Sequence, residues 1–387
     1  MNSNKVSVII PSFNRYNYLL NAIKSIQNQT YDNYEIIVVN DGSTEDGYQS
    51  SELKSMAKII HIDRNNTPDW GGSRPSVRNY GISEASGDFI AFLDDDDFWL
   101  PTKLEHQLSE MKIKKIGLSC TDGYFGYGVY NENKKYSVIY MHDGGALFGK
   151  RTSQGMFGAK WKVDEVATKL LAENKLKEFI IVGIYNTGMT RWNEYYPEKS
   201  FNYLDQNFKD SLGILYESEL RYSKLMADNY LKFIVEELKP FIDKEFSVYS
   251  NVEETYIAGS SMGGLISMYA TFEYPEVFSR AACISTHWLG SGKNKSGEYD
   301  KRFPFSIFEY MQDNIPDSNN HRFWFDYGDA GNLDSYYVDY ASYVDSIFNN
   351  NGYDSKNFKN IRFFGEKHNA ISWNKRLDQI FEFLLKP

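Results

Sequence analysis

Gly259-Ser260-Ser261-Met262-Gly263 is a G-x-S-x-G lying between an apolar, β-prone segment, Tyr256 to Ala258, and a helix-compatible run, Leu265 to Ala270. At such a strand–turn–helix junction the central serine is lifted out of the sheet, its Oγ facing solvent. The glycines serve because the helix backbone passes so close to the strand that a Cβ would collide. Five such residues alone also suit an ordinary Gly/Ser turn; the flanking strand and helix make Ser261 a candidate nucleophile. A serine hydroxyl attacks an ester carbonyl only if a base takes its proton. Of the six histidines, His368 is the candidate base, since it alone follows the last expected strand, Ile361-Arg-Phe-Phe364. An acid must hold the imidazole tautomer and stabilise the imidazolium. Asp334 has the reach of a loop and is the first choice, Asp329 the second, whereas Asp326 falls within the expected strand Phe323-Trp-Phe-Asp-Tyr-Gly328. The oxyanion calls for two backbone N–H donors, each able to lower the barrier by ~3 kcal/mol. Met262 is one candidate, and Gly144 or Gly145, after the expected strand Tyr136 to Met141, is the other. This chemistry needs no cofactor.

A second group of chemistry-bearing residues lies in the first third of the chain. Asp41 closes the apolar run Glu35-Ile-Ile-Val-Val39, and Asp94 to Asp97 close Phe89-Ile-Ala-Phe-Leu93. Carboxylates at strand ends suit a hard cation such as Mg²⁺ or Mn²⁺ that can bridge to a diphosphate. Asp41 could also hydrogen-bond a base or ribose. A run of four acids is often only a solvated loop; here it follows a strand directly and is capped by Phe98-Trp99-Leu100-Pro101.

The elements needed to place these groups alternate. Val6 to Ile10, Glu35 to Val39, Ile59 to Ile62 and Phe89 to Leu93 read as strands, and Leu19, Ala22, Ile23 and Ile26 repeat at helical spacing. The second part adds strands at 136–141, 180–184, 256–258, 280–285, 323–328 and 361–364. Lys209 to Glu245 reads as mostly helical with an interruption at Pro240, residues 286–320 as a polar insertion, and Asn374 to Leu385 as a closing helix. Strand–helix alternation predicts α/β architecture with parallel sheets and ligand loops at the strand C-termini. The division expected is 1–130 and 131–387, joined without a long linker through the polar segment Gly126 to Lys135.

Val-Ser-Val-Ile-Ile-Pro-Ser-Phe-Asn-Arg, Val-Val-Asn-Asp-Gly-Ser, Arg78-Asn79-Tyr80-Gly81-Ile82 and Phe-Leu-Asp-Asp-Asp-Asp resemble family 2 glycosyltransferases of the GT-A fold over about residues 5 to 130. The resemblance implies that Asp41 reads the nucleotide of a nucleotide-sugar and that Asp94 and Asp96, as the D-x-D pair, hold ribose and metal, with Arg78 and Asp97 nearby. The pattern stops near Tyr130, short of the half that carries acceptor site and catalytic base, so this domain is expected to be truncated. The remainder resembles the esterase family related to enterochelin esterase, feruloyl esterases and S-formylglutathione hydrolases, of the α/β-hydrolase fold. The resemblance rests on Tyr-Met-His-Asp-Gly, Trp161-Lys-Val-Asp164-Glu165, Gly183-Ile-Tyr-Asn186, Glu237-Leu-Lys-Pro240, Gly-Ser-Ser-Met-Gly-Gly, Ser285-Thr-His-Trp288 and Lys367-His368. It implies hydrolysis of carboxylic esters, on a carbohydrate or an acylated small molecule. Two departures stand out: Gly145-Ala146 replaces a family Gln-Asn, and the strands expected before 136–141 are lacking, which would leave a sheet edge open.

Composition sets outer bounds on this reading. A net charge of −10 argues against a nucleic-acid or anionic-membrane surface as the main partner. Two distant cysteines, Cys120 and Cys283, argue against a disulfide framework or a cysteine zinc site. No run of about 18 apolar residues spans a membrane, and the polar N-terminus suits a cytoplasmic protein. The leading reading is a serine esterase fused to a partial nucleotide-sugar-binding domain. The alternatives are a metal-dependent glycosyltransferase and a non-catalytic fusion protein that binds a nucleotide-sugar or an ester.

Overall fold

The computed structural model describes residues 4–63, 75–114, 125–126, 131, 133–148, 160–188, 190–216, 224–331 and 333–386. The chain divides into two compact units, Met1–Asp122 and Gly123–Pro387. Cys120 and most of the expected join, 127–130 and 132, lie outside the described residues.

The first unit holds a four-stranded parallel sheet, β1 (Val6–Ser12), β2 (Tyr34–Asp41), β3 (Lys58–Ile62) and β4 (Phe89–Phe92), in the order β3-β2-β1-β4. Alternate residues of β1 face opposite sides. Val6, Val8 and Ile10 pack with Leu19, Ala22, Ile23 and Ile26 of the helix Tyr16–Gln27 and with Leu104 and Leu108 of the helix Lys103–Lys114. Ile9, Ile37 and Val39 pack on the other side with Val77 of the helix Pro75–Ser83. That helix can approach because residue 81 is glycine; a Cβ there would collide with Ile9. At the opposite end of the sheet Glu35 is tied to Ser7, Ser86 and Lys5. Burial would raise its carboxyl pKa, but hydrogen bonds from Ser7, the Ser86 backbone and Lys5 outweigh it and hold the group down at about 2. A depressed acid stabilises the fold above its unfolded pKa and ceases to do so as pH falls through its folded value. Between about pH 4.5 and 2, wild type should therefore lose stability more steeply than Glu35→Gln, as urea titrations across that range would read out; parallel losses would contradict this.

The second unit is built on a seven-stranded sheet. Its strands are β5 (Phe125–Gly126), β6 (Ser137–His142), β7 (Phe179–Ile184), β8 (Thr255–Ser260), β9 (Arg280–Ile284), β10 (Arg322–Ala330) and β11 (Phe358–Lys367). Their order is β11-β10-β9-β8-β6-β7-β5, all parallel except β5, which runs antiparallel to β7. Among the described residues β7 is paired on its outer side at Ile180 and Ile181, by β5. The helix Met262–Glu273 behind β8 is buried on nearly every side, which an almost wholly apolar helix requires.

Two elements differ from expectation. Pro240 does not end its helix: Ala227–Lys232 continues through a π-helical turn, Phe233–Leu238, into Lys239–Glu245. A wider turn just ahead of proline accommodates its missing N–H and its ring. The segment 286–320 is not wholly polar loop, since it contains the helix Arg302–Asn314 with Phe303, Ile307, Tyr310 and Met311 buried on one face. Among the described residues no helix is long and apolar enough to cross a membrane.

Candidate active site

Ser261 stands between the end of β8 and the helix Met262–Glu273 at φ 58°, ψ −122°. A non-glycine residue there is strained, at about 1–3 kcal/mol, and persists only where its surroundings over-determine it. The surroundings do so. Ser261 N–H donates to Ile284 O at 2.8 Å, and Ser261 O accepts from Gly264, Leu265 and His287 N–H at 3.0, 3.2 and 3.1 Å. A Cβ on Gly259 would lie 2.6 Å from Gly263 O, with backbone on both sides and no side chain to give way. Gly259→Ala should lower unfolding stability by about 2–3 kcal/mol, measured by chemical denaturation; an unchanged midpoint would mean that the strand and helix are not so closely apposed.

Ser261 follows β8, Asp334 begins the short helix Asp334–Tyr337 after β10, and His368 follows β11, so all three lie at C-terminal ends of parallel strands. Asp334 is fully buried and His368 nearly so, with Nδ1 2.6 Å from Asp334 Oδ1. A carboxylate only accepts, so Nδ1–H donates and the acceptor lone pair falls on Nε2. The other carboxylate oxygen, Oδ2, accepts from Gly328 N–H at 3.0 Å and from Ser285 Oγ–H at 3.1 Å. Asp329 is turned elsewhere: it accepts from Arg362 Nε at 2.9 Å and from Gly365 N–H at 2.6 Å. The structure thus pairs His368 with Asp334 and not with Asp329, because Asp329 is tied to β11 by Arg362. Asp326 is buried beside Arg376, Nη2 to Oδ1 3.1 Å.

Among the other histidines, His142 and His287 are buried and neutral. Burial pushes both down to about 3, with the His368 charge adding to the effect at His287. A group so weakly basic is a poor general base. His287 supports the site instead: its backbone bonds Ser261 O, and its Nδ1 lies 2.7 Å from Tyr337 OH. The Tyr337 ring in turn packs edge-on to His368, centroids 5.7 Å apart, and Trp373 does so at 5.2 Å.

Met262 is the first residue of its helix, so its N–H has no intrahelical acceptor. Gly144 and Gly145 form a 3₁₀ turn after β6, entered by Asp143 at φ 59°. A Cβ on Gly263 would lie 3.4 Å from Asp143 Oδ2, which puts this turn beside the start of the Ser261 helix. Asp143 is clamped by Arg191, Nε and Nη2 each 2.6 Å from a carboxylate oxygen, and by Asn186 Nδ2 at 2.7 Å. Gly144 packs against the backbone of Gly183, which a Cβ would meet at 2.8 Å, and Gly145 against the Tyr185 ring.

In the first unit Asp41 is buried at the end of β2. Asp94 pairs with Arg78 and Asp96 with Arg15; Asp95 accepts from Ser12 Oγ at 2.7 Å and pairs with Arg15 at 3.3 Å. Desolvation, then the neighbouring carboxylates of Asp96, Asp94 and Asp95, push the Asp97 carboxyl up to about 6. Among the described residues no group of three or more His, Cys, Asp or Glu side chains is placed to hold a metal ion. Two carboxylates at a strand end still fit the requirement of Mg²⁺, which takes one or two protein carboxylates alongside substrate phosphates.

Sequence reasoning passed over Gly328, Arg191 and Arg376, and read Ser285 only as part of a resemblance.

A seven-stranded, mostly parallel sheet with a strained serine at the β8 turn defines the second unit as an α/β hydrolase. The chain belongs to the family described as "Putative esterase", whose model matches residues 124–380. Residues 7–165 match the model for Glycosyl transferase family 2, past residue 130 where the resemblance was expected to stop and overlapping the esterase match. An uncharacterized glycosyltransferase of Rickettsia bellii is 43% identical over 132 residues, covering 34% of this chain and 18% of that protein. A GalNAc(5)-diNAcBac-PP-undecaprenol beta-1,3-glucosyltransferase of Campylobacter jejuni is 31% identical over 217 residues, covering 53% and 63%. The chain spans less than two thirds of the length of either relative. Among solved structures, the BES protein of Bacillus cereus matches at TM-score 0.46 and 19% identity, covering 70% of this chain and 98% of that one. The enterobactin esterase FES of Shigella flexneri matches at TM-score 0.43 and 17% identity, covering 64% and 52%.

Proposed function

We propose that the second unit is a serine carboxylic-ester hydrolase acting through an acyl-enzyme. The observation that carries this reading is the conjunction of a strained Ser261 at the strand–helix turn with a buried His368–Asp334 pair, all at C-terminal strand ends of the same sheet. Ser261 Oγ attacks the ester carbonyl while His368 Nε2 takes its proton. The N–H groups of Met262 and of Gly144 or Gly145 receive the developing oxyanion. His368 then returns the proton to the departing alkoxide, and water repeats the sequence on the acyl-enzyme. Asp334 stabilises the transient imidazolium. Hydrolysis of p-nitrophenyl acetate by wild type, with an initial burst of nitrophenolate, tests this; a folded protein without turnover would sink it.

A second reading is favoured by the carboxylates of the first unit. Asp41, Arg78, Asp94 and Asp96 would bind a nucleotide-sugar donor, with Asp94 and Asp96 holding Mg²⁺ or Mn²⁺. Such an ion supplies charge neutralisation at the diphosphate. Because Asp97 is raised, its ionisation costs stability as pH rises through the range up to about 6. A cation beside it offsets that cost. Mn²⁺ should therefore raise the thermal midpoint of the full chain more at pH 7 than at pH 5. Equal shifts, or none, would contradict cation binding here.

A further inference from the structure

We infer that Ser285 is a positioning residue for the Asp334–His368 pair, its hydroxyl fixed in one orientation by Arg376 and Trp373; this rests on the serine-esterase reading above. Ser285 is the first residue after β9, the strand between β8 and β10, so it lies between the nucleophile turn and the acid. It is fully buried and sits at φ 41°. The segment it opens binds both neighbours. On one side Ile284 O accepts from Ser261 N–H at 2.8 Å and His287 N–H donates to Ser261 O at 3.1 Å. On the other, Ser285 N–H donates to Asp326 Oδ1 at 2.9 Å.

The hydroxyl itself has three polar neighbours: Trp373 Nε1 at 3.0 Å, Arg376 Nη2 at 2.5 Å and Asp334 Oδ2 at 3.1 Å. Indole and guanidinium only donate, and a carboxylate only accepts. Both lone pairs of Ser285 Oγ are therefore taken, and its one proton must point at Asp334. The hydroxyl becomes a fixed donor that passes the Arg376 field to the acid, and Arg376 also balances Asp326, 3.1 Å away. With Gly328 N–H as the other donor, Oδ2 is held at two points, which leaves Oδ1 aimed at His368 Nδ1. A hydroxyl free to rotate, or a methyl in its place, would leave the carboxylate able to turn about its Cβ–Cγ bond. Misalignment of that kind acts on the chemical step, not on substrate binding.

The test combines kinetics with the low-field proton resonance of His368 Nδ1–H bonded to Asp334. Ser285→Ala should lower kcat for p-nitrophenyl acetate by about 10–100-fold with KM unchanged, and should abolish the low-field resonance or shift it upfield, while circular dichroism stays that of wild type. Trp373→Phe keeps the ring but removes one directing donor; it should lower kcat roughly threefold and broaden the resonance. It decides the matter should Ser285→Ala not fold. Retention of wild-type kcat and an unaltered resonance in a folded variant would overturn the positioning role. Absence of ester turnover in wild type would instead overturn the esterase reading, and the resonance alone would then decide the role of Ser285.

Discussion

Ser261→Ala should lower kcat for p-nitrophenyl acetate by at least about 10⁴-fold, because a nucleophile removed from a concerted group costs nearly as much as removing the whole group. A residual rate would come from the oxyanion donors and binding alone. The substitution takes away one oxygen and leaves the backbone contacts of residue 261 in place. Stability should change little, and the strained φ of 58° is retained. Denaturation midpoints measured beside the kinetics separate loss of chemistry from loss of fold. Activity within tenfold of wild type would place the nucleophile elsewhere.

The second large effect distinguishes the two acids that the sequence left in competition. Asp334→Asn should lower kcat by about 10⁴-fold, since an amide in place of the carboxylate favours the wrong imidazole tautomer and removes the counter-charge. Asp329→Asn should stay within about twofold of wild type in kcat, as that side chain accepts from Arg362 and Gly365 on β11 and does not meet His368. Equal losses in both variants, or the larger loss in Asp329→Asn, would reverse the assignment.

Much of this site was legible because its main parts are local. The turn around Ser261 is written in five consecutive residues with a strand before and a helix after, and His368 stands directly beyond the final strand. Asp334 could be preferred over Asp329 on reach alone, since a group bound to the strand end cannot cross to the next loop. The supporting contacts were not legible. Ser285, Arg376 and Gly328 meet Asp334 or one another only when β9, β10 and the last helix are assembled, and no local pattern marks such a meeting. Gly328 looks like any strand-ending glycine until a side chain there is seen to run into Asp334 Oδ2 at 2.6 Å. The helix Arg302–Asn314 was hidden by its own composition. A proline in its first turn, where one is tolerated, and the polar residues before it read as loop, although Phe303, Ile307 and Met311 follow helical spacing. Pro240 misled in the opposite direction, since a π turn ahead of it lets the helix continue.

In the first unit the strand ends carrying Asp41 and Asp94 to Asp97 were foreseen from apolar runs ending in acids. Arg78 beside Asp94 was expected from the resemblance, but the pairing of Asp95 and Asp96 with Arg15 was not, because that arginine comes from the loop after β1. The same arrangement gives the cation experiment its physical basis, for Asp94, Asp95 and Asp96 already pair with arginines while Asp97 carries the raised carboxyl.

The most direct test of the central claim is labelling of the purified full chain with a fluorophosphonate, followed by peptide mapping in a mass spectrometer. Only a serine activated by a base and facing an oxyanion site reacts readily with such a reagent. A single adduct on Ser261, lost in His368→Ala, is the expected result. A folded protein that takes up no label, or takes it on a serine other than Ser261, would contradict the assignment.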